Sequence, residues 1–132
     1  MNNSDLELFA QEFLEENYGL SLEIPVVIGK VNKTALAAYC FNRSSNGTPV
    51  NQTIIMSDVM VANNSDEVVK DLLSHELVHY ALHTLGEEFN DGSVNFESEL
   101  LRLNISSSFR PKRFKVIMPT KKSFIQKLVN LF

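Results

Sequence analysis

The stretch from Asp66 to Leu85, DEVVKDLLSHELVHYALHTL, decides how the rest of the chain is read. Ser65 stands just ahead of it, where its side chain can cap the free amides of a helix. Asp66 and Glu67 suit the positive end of the dipole, and Gly86 is placed to end the helix. Val68, Val69, Leu72, Leu73, Leu77, Val78, Ala81, Leu82 and Leu85 cover nearly every direction around the axis. The spacing therefore predicts a helix over about 66–85 that is buried on all sides.

Within this apolar helix lies His75-Glu76-Leu77-Val78-His79, an H-E-x-x-H sequence. Residues four apart share a helix face, so both imidazoles can reach one zinc ion, and Glu76 is angled to touch a water on that metal. Zinc lowers the pKa of its bound water to about 7 and polarises a carbonyl, while a glutamate can pass a proton to a leaving amine. Burying two histidines and a glutamate without partners is costly, and a metal with its water supplies the compensation. His83 continues the four-residue series, but at about 1.5 Å per residue it lies roughly 12 Å along the axis from His75, too far to share the ion. It is expected to be exposed or hydrogen-bonded near the helix C-terminus.

Outward from this helix, Ser4-Asp5-Leu6-Glu7 has capping-box spacing, with Leu6, Phe9, Phe13 and Leu14 at helical intervals and Gly19 beyond them, which predicts a first helix over about 5–17. Ile24 to Ile28 reads as a short strand closed by Gly29, with Pro25 at its start or on an edge. The apolar run Ala35 to Phe41, the Ser-, Asn- and Gly-rich loop 42–51 and Thr53 to Met56 predict a hairpin. A last helix is expected from about Ser93 to Leu103, followed by a basic tail read as a strand near 110–119 and a short amphipathic helix over 121–132. Cys40, the single cysteine, is expected to be a buried small hydrophobe, and Tyr80 a packing residue.

With 132 residues, 44% of them hydrophobic, the chain has room for one globular domain. Its longest apolar run is far short of the roughly 20 residues that span a bilayer, and no signal-peptide pattern is present, so a cytoplasmic protein is expected. Charge is unevenly spread. Residues 1–99 hold all 16 acidic residues and four basic ones, whereas Arg102, Arg110, Lys112, Arg113, Lys115, Lys121, Lys122 and Lys127 follow with no acid among them. Such a segment can bind a polyanion such as DNA or fold back onto its own acidic body.

Asp71 to Tyr80, followed by Asp91-Gly92 and Phe96, resembles the SprT-like metallopeptidase domain, the relatives of the Spartan proteases. Thr34 to Phe41 is similar to that family's small-residue strand, and Ile54 to Ser57 to the strand leading into its zinc helix. The resemblance implies an α+β, minimal zincin-like fold: a small sheet of about three strands packed on an N-terminal helix, the H-E-x-x-H helix and a following helix. It further implies Zn2+ held by two histidines and a third ligand, a glutamate base, and substrates among proteins attached to DNA. Members with a third histidine carry it at a position that matches Ser93, and serine is a poor zinc ligand. Glu97, on the same helix face as Ser93, is then the first choice to complete the set with His75 and His79; Asp91 is second and Glu99 third.

The expected function is a zinc-dependent endopeptidase with Glu76 as the catalytic base, built on residues 1–103 and trailed by a basic segment over 104–132. The substitution at Ser93 also suits an inactive zincin-fold module that binds DNA or a protein through the basic segment. His75 to His83 is similar as well to the ImmA-like regulatory peptidases, whose third ligand is a downstream glutamate.

Overall fold

β3 (Pro49–Ser57) is the middle strand of a three-stranded mixed sheet. It pairs in parallel with β1 (Val26–Gly29), Val26 opposite Ile54, and antiparallel with β2 (Ala37–Arg43), Tyr39 opposite Ile54. The computed structural model describes residues 1–32, 34–111 and 113–118. Four helices complete the α+β fold: α1 (Asn3–Tyr18), α2 (Asp58–Asn63), α3 (Asp66–Thr84) and α4 (Val94–Arg102). Among the described residues no helix is long and apolar enough to cross a membrane.

The core explains why α3 is apolar all round. On one side Val69, Leu73, Leu77 and Ala81 meet Leu6, Ala10 and Leu14 of α1, together with Val26, Ile54 and Met56 of the sheet. On the other, Val78 and Leu82 meet Phe96 and Leu100 of α4 and Ile105 beyond it. A helix enclosed from both sides has no solvent stripe to keep polar. Its ends are those expected: Ser65 accepts from the Val68 amide, and Gly86 follows the helix at φ 74°.

Several boundaries move for local reasons. The capping box of α1 is formed by Asn2 and Asp5, not Ser4 and Glu7: Asn2 Oδ1 accepts from the Asp5 amide at 2.9 Å, and Asp5 Oδ2 accepts from the Asn2 amide at 2.8 Å. β1 starts just after Pro25, which has no N–H to give but whose carbonyl accepts from the Ile54 amide at 3.0 Å. α2, capped by Ser57, follows β3 directly and is too short for its periodicity to announce it. Cys40 is exposed, a correction to its expected burial. Tyr39 turns toward Tyr80 of α3, and strand alternation sends its neighbour to the opposite face.

The division expected after residue 103 falls inside the packing. Ile105 is buried in the second core cluster, and Ser107 is buried beside α4. The strand expected near 110–119 does not form over its described part, where 113–118 belongs to no regular element. This segment folds back onto the body instead. Arg113 lies 3.9 Å from Asp71, Arg110 donates to the Ile105 carbonyl at 2.8 Å, and the Ile117 backbone pairs with the Asn64 side chain. The amphipathic helix expected over 121–132 lies outside the described residues.

Candidate metal centre

His75, Glu76 and His79 lie in the middle of α3, so the most thoroughly packed helix of the molecule positions all three. Asp91 comes from the loop joining α3 to α4. Two positive-φ glycines shape that loop: Gly86 at its start and Gly92, at φ 82°, just after the aspartate. A Cβ on Gly92 would lie 3.2 Å from the Phe109 ring, so both backbone conformation and space call for glycine there.

Asp91 Oδ1 is 3.0 Å from His75 Nε2 and 3.4 Å from His79 Nε2. The other imidazole nitrogens are already committed. His75 Nδ1 donates to the Ser106 carbonyl at 2.9 Å, and His79 Nδ1 donates to the Phe89 carbonyl. A carbonyl can only accept, so a neutral ring in this position carries its proton on Nδ1 and turns a lone pair outward on Nε2. Two lone pairs and a carboxylate oxygen thus converge with no proton to share among them. Protonated imidazoles or a bound cation can relieve that arrangement.

The donor set suits a metal. In a tetrahedral site with bonds of about 2.0–2.1 Å, ligand atoms stand about 3.3 Å apart, close to the two separations observed here. His75, His79 and Asp91 could together hold a metal ion. The imidazole side chains are 14% and 10% exposed, but Asp91 is 54% exposed, which leaves an entry on the carboxylate side.

Ionisation follows the same geometry. Burial disfavours the charged form of His75, but its bonds to Asp91 and the Ser106 carbonyl and the nearby Glu76 outweigh that and raise its pKa. When the imidazoles are protonated, Nε2–H bonds from His75 and His79 hold Asp91 well below the usual carboxylate range. Burial pushes Glu76 up, opposed by the two imidazoles. Phe96 supports the centre from beneath, stacked on His79 at 4.0 Å and meeting His75 edge-on at 5.1 Å.

Glu97, expected first as the third ligand, stands one step behind the centre. Its carboxylate accepts from the Gly92 amide at 3.1 Å and from the Ser107 hydroxyl, which ties down the turn carrying Asp91. The correction has a simple cause: Glu97 is engaged by those two donors, while the tight Asp91-Gly92 turn delivers the shorter acid to the imidazoles. Glu99 faces away, bonded to the Tyr18 hydroxyl and to Arg102. Ser93 caps α4 through the Phe96 amide. The Ser106 and Phe89 carbonyls, which orient both rings, carried no sequence signal, because any residue offers a carbonyl.

His83 takes no part in the cluster and is hydrogen-bonded, as expected. Its Nδ1 meets the Tyr39 hydroxyl at 2.9 Å, and its ring stacks on Phe89 at 4.0 Å. Two clefts flank the centre, of about 360 Å³ on the His75 side and about 320 Å³ on the His79 side, and both are lined by Ala37, Glu76 and Asp91. They run beside β2, whose outer edge pairs with no other strand among the described residues. Since the Ser57 amide donates to the Leu36 carbonyl, alternation turns the backbone groups of Ala37 and Tyr39 outward, and the Tyr39 amide faces Glu76. No family model and no curated protein matches the chain.

Proposed function

We propose that this protein is a zinc-dependent endopeptidase of the SprT-like kind, with His75, His79 and Asp91 as the metal ligands and Glu76 as the general base. One observation carries this: three acceptors lie within 4.8 Å of one another beside a partly buried glutamate, with both imidazoles fixed from behind by carbonyls. Bound there, zinc would supply Lewis acidity, making water more acidic and a peptide carbonyl more electrophilic.

The chain's own groups supply the remainder. Glu76 takes a proton from the attacking water and delivers it to the amine that leaves as the peptide bond breaks. Burial that raises its pKa brings it nearer the working pH, where such transfers are most effective. The outward backbone groups of Ala37 and Tyr39 suit an extended peptide lying along β2, the way a strand is added to a free sheet edge. Such a peptide would pass both clefts and cross in front of Glu76. With Asp91 available as third ligand and Ser93 occupied as a helix cap, the serine gives no support to a module that has lost its metal.

The decisive variant is Glu76→Gln. It should keep one zinc per chain by elemental analysis and lose about 10²- to 10⁴-fold in peptide hydrolysis. Full activity with glutamine at this position would sink the mechanism.

A further inference from the structure

The cleft on the His75 side has a built wall. Leu36 and Leu72 line one side of it, and the far side is the segment 114–118. Phe114, Val116 and Met118 line the cleft, whereas Lys115 and Ile117 between them do not. A period of two is what extended backbone produces.

Asn64, at the end of α2, holds this segment in place. The Ile117 amide donates to Asn64 Oδ1 at 2.8 Å, and Asn64 Nδ2 donates to the Ile117 carbonyl at 3.1 Å, so a side-chain amide does what a neighbouring strand would do. Asn64 Nδ2 also donates to the Met60 carbonyl at 3.0 Å, which anchors the amide to α2.

We propose that this cleft is the subsite that sets substrate preference, receiving an apolar side chain of leucine to phenylalanine size from a residue flanking the scissile bond. This rests on the endopeptidase function proposed above. The occupant belongs to the substrate because the cleft also touches His75, Glu76 and Asp91, so whatever fills it lies within reach of the Glu76 carboxylate. It is apolar because six apolar side chains, those of Leu36, Ala37, Leu72, Phe114, Val116 and Met118, meet there, and the hydroxyl-bearing lining, Thr34 and Ser106 to Ser108, is small. Asp71 at the cleft margin is already engaged by the Ser106 amide at 3.2 Å and by Arg113, and an acidic side chain would enter among carboxylates. Asn64 is a positioning residue that acts through the wall.

The test uses the full chain loaded with zinc and a series of blocked peptides that differ by leucine, phenylalanine, serine or aspartate on either side of one cleavable bond. In the wild type, kcat/KM for leucine over serine at one flanking position should be at least about tenfold. Val116→Asp should bring that ratio to about one, and Asn64→Ala should lower it several-fold with bound zinc unchanged. A wild type without apolar preference, or a Val116→Asp variant that keeps it, overturns the subsite; an unchanged ratio in Asn64→Ala overturns the role of the latch.

A second readout separates this from failure of the peptidase assignment. The chain has no tryptophan, so a tryptophan placed in the peptide reports binding to the Glu76→Gln variant by its own fluorescence. Leucine-over-serine discrimination in binding, abolished by Val116→Asp, with no cleavage by the wild type, would leave the subsite standing and remove the peptidase. Cleavage without that discrimination would do the reverse.

Discussion

Three histidines stand four residues apart on α3, and their partners give them two different roles. His75 and His79 have carbonyl oxygens behind them, so their Nε2 atoms turn toward Asp91 as lone pairs. His83 has the Tyr39 hydroxyl at Nδ1, and that hydroxyl itself accepts from Gln52 at 2.6 Å. Tyr39 therefore has its proton free for His83, which then carries its own on Nε2. The same residue type at the same spacing becomes a pair that could hold a metal ion in one place and a satisfied aromatic-cluster member in the other. What differs is the backbone and side chains that reach α3 from elsewhere.

The largest effect should come from breaking one side of this comparison. His75→Ala is expected to abolish stoichiometric zinc binding, whereas His83→Ala should leave it intact; elemental analysis of protein prepared without chelator reads both. Zinc retained by His75→Ala would remove the ligand assignment. Phe96→Ala deletes a fully buried ring that also supports both imidazoles. Denaturant unfolding should show a loss of about 3–5 kcal/mol, with weaker zinc binding, while a change confined to stability would separate the core role from support of the site.

Glu97→Gln sharpens the comparison by testing the support behind the ligand. Loss of the charge that holds the Gly92 amide should weaken zinc affinity by about 10- to 100-fold without abolishing it. Complete loss of zinc would return Glu97 to the ligand set.

The smallest effect concerns His83, whose pKa is lowered by burial and then by Arg43. Its folded value lies below the unfolded one, so the unfolded chain takes up more protons between the two. His83 thus favours the folded state above pH 6.5, and that contribution is lost as the pH falls from 6.5 through the folded value. His75 and Glu76, whose pKa values are raised, act in the opposite sense, so the His83 contribution is read as a difference: in urea titrations of metal-free protein from about pH 7.5 to about pH 5.5, stability should change less favourably with falling pH in the wild type than in His83→Phe. An equal change in both would show that this histidine is not a source of the pH dependence.

The part of the site on α3 was legible in the sequence because one helical period places residues four apart on a common face whatever surrounds the helix. The choice among Asp91, Glu97 and Glu99 was not. All three lie within nine residues, and their order depends on the Gly92 turn, on Ser107 in the chain beyond α4, on Arg102 one turn along the helix and on Tyr18, which comes from the far end of the sequence. The exposure of Cys40 has a related origin: an apolar run says that a strand forms, but only the folded sheet shows that β2 is an edge strand whose Cys40 side chain faces away from α3.

Sequence alone therefore determined the local features: the H-E-x-x-H face, the Ser65 cap, the hairpin and the apolar periodicity of α1 and α3, all of which follow from backbone geometry over a few residues. Tertiary structure alone decided that Asp91 meets the imidazoles, that the Ser106 and Phe89 carbonyls orient them, and that Asn64 latches the wall of the cleft. Those contacts join residues far apart in the chain or through the backbone, where hydrogen-bonding capacity is nearly the same at every position and leaves no mark in the sequence.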